Sequence, residues 1–117
     1  MLWSAVIDIS WSDRKLERFC SSDKAGQRQF GADNWKLLKR RLASLAGAPT
    51  LADMQNVPGN CHALSADRDG HFAVHLWGQF RLIFRPHEPA PLLDDGGIDR
   101  AQVTGISITE VVDYHGR

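Results

Sequence analysis

Cysteine is scarce, and the two present, Cys20 and Cys61, are too few for a disulfide scaffold and are not spaced as a metal site. Both are read as reduced thiols of a cytoplasmic protein, with Cys61 the more buried. No stretch reaches the roughly 18–20 apolar residues of a membrane span. The opening residues reach Asp8 without a basic region ahead of a long apolar run, which argues against a signal peptide. There is no internal repeat and no low-complexity tract. Net charge is also lacking: the total is +0, so charge alone gives no reason to expect nucleic acid. That zero is unevenly built. Residues 1–85 carry twelve Lys and Arg against eight Asp and Glu, and residues 86–117 carry two against six. This is either the scatter of a solvated surface or a basic body joined to an acidic tail.

What is present is ordinary globular material, 43% hydrophobic and 24% charged in 117 residues, enough for one small domain. The pattern predicts a first strand over Leu2–Ile9 and then a helix opened by Ser10 or Ser12, with Leu16, Phe19 and Cys20 on one face. Residues 21–31, polar and with two glycines, read as a loop. Trp35, Leu38, Leu42 and Leu45 recur at helical steps, so a second helix runs from about Asp33 to Ala46. Its other face carries Lys36, Lys39, Arg40 and Arg41 as a basic ridge, and Gly47 and Pro49 end it. Thr50–Met54 reads as a short helical turn. Phe72, Val74 and Leu76 then alternate with Ala73, His75 and Trp77, and after Gly78 the same period continues through Phe80, Leu82 and Phe84, making a hairpin. Residues 86–102, with three prolines, two glycines and four acidic side chains, read as a long loop before a last strand over Thr104–Val112. The fold class expected is α+β, with hairpin connections favouring antiparallel pairing and the helices covering one face of the sheet.

Several segments together carry a family resemblance. Thr50-Leu51-Ala52-Asp53-Met54 is followed by Pro58-Gly59-Asn60, then by Asp67-Arg68-x-Gly70-x-Phe72-x-Val74 and the hairpin strand Gln79-Phe80-Arg81-Leu82-Ile83-Phe84. The chain closes on Glu110-Val111-Val112-Asp113-Tyr114-His115. In this order the segments resemble HigB-type toxins of the RelE/ParE superfamily, the plasmid-maintenance killer proteins, across nearly the whole chain. The resemblance implies an endoribonuclease that cleaves messenger RNA in the decoding site of the ribosome and is neutralised by a HigA-like helix-turn-helix antitoxin. It also implies the family's fold, a small twisted antiparallel sheet packed against two N-terminal helices; no cofactor, metal or membrane partner is expected.

RNA cleavage without a metal needs a base for the 2′-hydroxyl, a cation on the phosphate and an acid for the leaving oxygen. Arg81 can grip a phosphate by two hydrogen bonds. His115 has a side chain that exchanges protons near neutrality, Asp113 can orient an imidazole, and Tyr114 offers a hydroxyl and a stacking face. His62 matches a histidine of some family members, and Arg68 and Arg85 are candidates for the RNA backbone. Each residue also has a plainer role open to it. Arg81 can snorkel over apolar neighbours, residues 113–115 can be a frayed end, His62 can be a strand-edge histidine, and Arg68 can be solvated. The spacing of His71 and His75 suggests a metal pair, but on a strand four residues span roughly 13 Å, too far for one zinc. Three departures from the family stand out. Ser65-Ala66 replaces a lysine and glycine, Phe80 replaces a tryptophan, and Pro86 with the acidic loop replaces a shorter connection close to the presumed RNA side. These keep open a non-catalytic toxin acting on a protein such as gyrase, or an inactive homologue serving as antitoxin co-repressor.

Overall fold

The Asp13 carboxylate accepts hydrogen bonds from the backbone of Lys15 and Leu16, at 2.8 and 3.4 Å, and so opens the first helix. In the computed structural model, which describes residues 6–114, strand β1 (Asp8–Trp11) leads into α1 (Arg14–Phe19), α2 (Asp23–Phe30) and α3 (Ala32–Gly47). The remaining strands are β2 (His62–Ala63), β3 (Phe72–His75), β4 (Phe80–Pro86) and β5 (Gly105–Asp113), with single 3-10 turns at Leu51–Asn56, Ala66–Arg68 and Arg100–Gln102. Residues 2–5 of the expected first strand and His115 lie outside the described residues. No helix among those described is long and apolar enough to cross a membrane.

Helix α2 occupies the segment expected to be a loop. Ser22 caps it, its hydroxyl accepting from Ala25 N at 3.1 Å, and Gly26 lies inside it for a packing reason rather than as a breaker. A β-carbon at position 26 would stand 2.2 Å from Trp35 Cδ2, and Trp35 is buried with its Nε1 donating to Asp23 at 2.8 Å. Alanine in a helix is favoured over glycine by roughly 0.5–1 kcal/mol, but the indole has no room to retreat. Gly26→Ala is therefore expected to destabilise the fold by about 1–3 kcal/mol, the range of overpacked cores. A thermal melt at or above the wild-type midpoint would mean that α2 and α3 do not pack this closely.

The sheet order is β1-β5-β4-β3-β2. β2, β3, β4 and β5 pair antiparallel in sequence, the β3–β4 hairpin as its pattern predicts, with Phe72 opposite Phe84 and His75 opposite Arg81. β1 pairs with β5 in parallel, Asp8 beside Gly105 and Trp11 beside Ile108. The sheet is thus antiparallel through four strands, as expected, and β1 alone runs parallel to its neighbour, which no hairpin joins to it.

One face of the sheet is the core. Phe72, Val74, Leu82, Phe84, Ile106 and Ile108 are buried there with Leu16, Trp35, Leu38 and Leu45 of the helices, and the Phe72 and Phe84 rings stack at 6.0 Å. The basic ridge of α3 is partly spent on structure. Arg41 turns inward to donate from Nε to the His75 carbonyl at 2.8 Å, and Lys39 pairs with Asp23 at 2.7 Å. The Lys39 ammonium and the Trp35 indole hold the Asp23 carboxyl below the usual carboxylate range. Cys20 and Cys61 are both half-buried, and burial pushes both thiols up to about 11.

Candidate active site

Strand alternation sends to the other face every residue out of phase with the core. Cross-strand register sets His62 beside Ala73, Ala73 beside Ile83, and Ile83 beside Glu110; two positions further along stand His75, Arg81 and Val112. Tyr114 continues the same phase, its backbone N–H donating to Gln79 O at 3.0 Å. The result, on the side of the sheet away from the helices, is a face with Ala73 and Ile83 buried in it and polar side chains around them.

Arg81 is fixed by its own turn. Its Nη1 donates to the carbonyls of Gly78 and Phe80 at 3.1 and 2.8 Å, and its guanidinium carbon lies 5.8 Å from the Tyr114 ring centroid. Arg68 approaches the same ring, also at 5.8 Å, and forms an ion pair with Glu110. That carboxylate raises the Arg68 pKa further and offsets much of its charge locally. The sequence alone gave no sign of this pairing across the sheet.

His62 lies with its Nδ1 2.7 Å from the Asn60 carbonyl oxygen. A carbonyl only accepts, so the Nδ1 carries a proton, and in the neutral ring this leaves the lone pair that a base needs on Nε2. The His62 ring meets His75 edge-on, at 5.7 Å and 87°. His75 is the member of this group that the sequence reading missed as a site residue, having weighed it only with His71. Burial is the chief cause that lowers the His75 pKa below that of an ordinary imidazole, followed by the charges of Arg81, His62 and Arg41.

The remaining predicted residues are less closely gathered. Arg85 is exposed, in phase with Arg81 but four residues along β4, roughly 13 Å away. Asp113 stands opposite Phe80 rather than Arg81, so alternation turns it to the other face. Ser65 is exposed just before the Ala66–Arg68 turn. The acidic loop is not close to the Arg81 end of β4. It starts at Pro86, five residues from Arg81, or roughly 17 Å along the strand, and closes on itself through a Leu92–Ile98 bridge beside a groove of about 590 Å³ lined by Ala63, His71 and Phe72. Among the described residues no group of three His, Cys, Asp or Glu side chains is placed to hold a metal ion.

Two guanidinium groups that approach one aromatic ring, with an imidazole on the same face, suit a phosphodiester: a guanidinium can pair with phosphoryl oxygens, the ring can stack a base, and the imidazole can take a proton. No family model matches the sequence, and no curated protein matches it. Among solved structures the chain is similar to the YoeB dimer from Staphylococcus aureus, at 18% identity and a TM-score of 0.48, over 95% of this chain and 99% of that one.

Proposed function

We propose that this chain is the toxin of a toxin–antitoxin pair: a HigB-type endoribonuclease of the RelE/ParE superfamily that cleaves messenger RNA on the ribosome without a metal and is neutralised by a helix-turn-helix antitoxin. One observation carries this reading. Arg68, Arg81 and Tyr114, from three separate stretches of the HigB resemblance, meet at the Tyr114 ring, and His62 stands on the same face of the sheet with only β3 between it and Arg81's strand.

In the proposed reaction the His62 Nε2 takes the proton of a 2′-hydroxyl. The freed oxygen attacks the adjacent phosphorus, the bond from phosphorus to the 5′-oxygen breaks, and the Arg81 guanidinium stabilises the charge on the non-bridging oxygens. His115, next to Tyr114 in sequence, is the proposed donor of a proton to the leaving 5′-oxygen. Asp113 acts through His115 rather than on the phosphate. Tyr114 stacks a base beside the cut, and Arg85 suits a phosphate further along the strand, whereas Arg68 contributes less because Glu110 shares its charge. The products are a 2′,3′-cyclic phosphate and a 5′-hydroxyl.

Expressed alone in a bacterial host, the chain is expected to arrest growth and shorten messenger RNA, with relief on co-expression of its antitoxin. Arrest with intact transcripts would favour a protein target such as gyrase, and full growth at high soluble expression would favour the co-repressor. Ser65→Lys, at an exposed position, supplies a second cation and is expected to raise the single-turnover rate on programmed ribosomes by about tenfold, a modest share of what one positioned charge contributes. An unchanged rate would place position 65 outside the site.

A further inference from the structure

We infer that His75, which stands opposite Arg81 and against the His62 ring, is a positioning residue of this site that holds the His62 imidazole in place; the inference rests on the nuclease reading. Three independent features of the structure converge on it.

The first is the ring pair itself, edge to face at 5.7 Å and 87°. The second is that one residue sets both rings. Asn60 presents its carbonyl to His62 Nδ1 at 2.7 Å and its side-chain amide nitrogen to His75 Nε2 at 3.2 Å. An amide –NH₂ only donates, so the His75 Nε2 accepts and its proton resides on Nδ1, which makes it a neutral imidazole. Asn60 does this from a φ of 50°, a left-handed conformation that asparagine tolerates better than most residues. The third is that the backbone of His75 is clamped on both sides. Its N–H donates to Gly59 O at 2.7 Å, and its carbonyl accepts from Arg41 Nε at 2.8 Å. Glycine is needed at position 59, where φ is +121° and a β-carbon would lie 2.9 Å from Arg41 Nε. The clamp fixes the backbone from which the His75 ring projects.

The charges that face His75 explain why it is suited to the task. Arg81 from β4, His62 from β2 and Arg41 from α3 all disfavour a proton on it, in addition to the effect of burial. When His62 takes up a proton during the reaction, its neighbour is a neutral ring rather than a second cation, so the imidazolium forms without repulsion from its own support.

Single-turnover cleavage on programmed ribosomes tests this, with wild type, His75→Ala and His75→Phe compared and thermal melts confirming that each is folded. His75→Ala is expected to lose roughly 10–100-fold in the rate at saturation, the range for a misplaced reacting group, with the half-saturating concentration within about twofold of wild type. His75→Phe, which restores a neutral ring, is expected to recover most of the loss. A second measurement needs no cleavage: NMR titration of the histidine rings in wild type and in His62→Gln. Removing His62 takes away one of the charges that hold the His75 midpoint down, so that midpoint should rise. A folded His75→Ala that cleaves at the wild-type rate overturns the positioning role, as does a His75 midpoint that does not move in His62→Gln. Wild type that cleaves no RNA ends the nuclease reading and the kinetic role together, and the titration then decides the ring pairing alone.

Discussion

His62→Gln is expected to lower the cleavage rate by roughly 10²–10⁴-fold, the usual contribution of one general base. Glutamine keeps a polar side chain of similar reach but has no nitrogen that takes a proton near neutrality. The fold should be indifferent, because His62 is half-exposed on a two-residue edge strand and contributes nothing to the buried core. Its hydrogen bond to the Asn60 carbonyl is local, and glutamine can restore part of it. Rate and melting temperature should therefore separate: a large loss in the first, little change in the second. A folded His62→Gln that cleaves at the wild-type rate would reduce His62 to a strand-edge histidine and move the base elsewhere.

Arg81→Ala is expected to lose roughly 10²–10³-fold, the cost of removing one preorganised donor from a developing anion. The side chain lies on the open face, held by the carbonyls of Gly78 and Phe80 and by Tyr114, and none of these contacts belongs to the core. Arg81→Lys keeps the charge but not the planar fork, so it should recover only part of the rate. Full recovery by lysine would mean that Arg81 acts as a point charge through the general field of the face. No loss in either variant would make it a snorkelling strand arginine.

Much of this arrangement was legible in the sequence because it is local. The alternation of Phe72, Val74 and Leu76 with Ala73 and His75, and of Phe80, Leu82 and Phe84 with Arg81, fixes which side chains share a face before any coordinate is known. The helical step of Trp35, Leu38, Leu42 and Leu45 fixes α3 in the same way. What the sequence hid depends on distant partners. Gly26 looks like a loop residue until the Trp35 indole is seen to fill the space where its β-carbon would be. The parallel pairing of β1 with β5 joins opposite ends of the chain, and no local pattern encodes it. β2 is two residues long, too short for any period. His75 is in phase with Arg81, but its partner His62 lies thirteen positions back, across the Ala66–Arg68 turn, whereas His71 is only four residues away in the sequence. The Arg68–Glu110 ion pair was invisible for the same reason.

The chemistry assigned to the open face leaves a signature in its products. Purified protein is incubated with programmed ribosomes, and both new RNA ends are identified chemically. Attack by the neighbouring 2′-hydroxyl predicts a 2′,3′-cyclic phosphate on the upstream fragment and a 5′-hydroxyl on the downstream one, both lost together in His62→Gln and Arg81→Ala. Fragments carrying a 3′-hydroxyl and a 5′-phosphate, or intact messenger RNA with well-folded wild-type protein bound, would contradict the account.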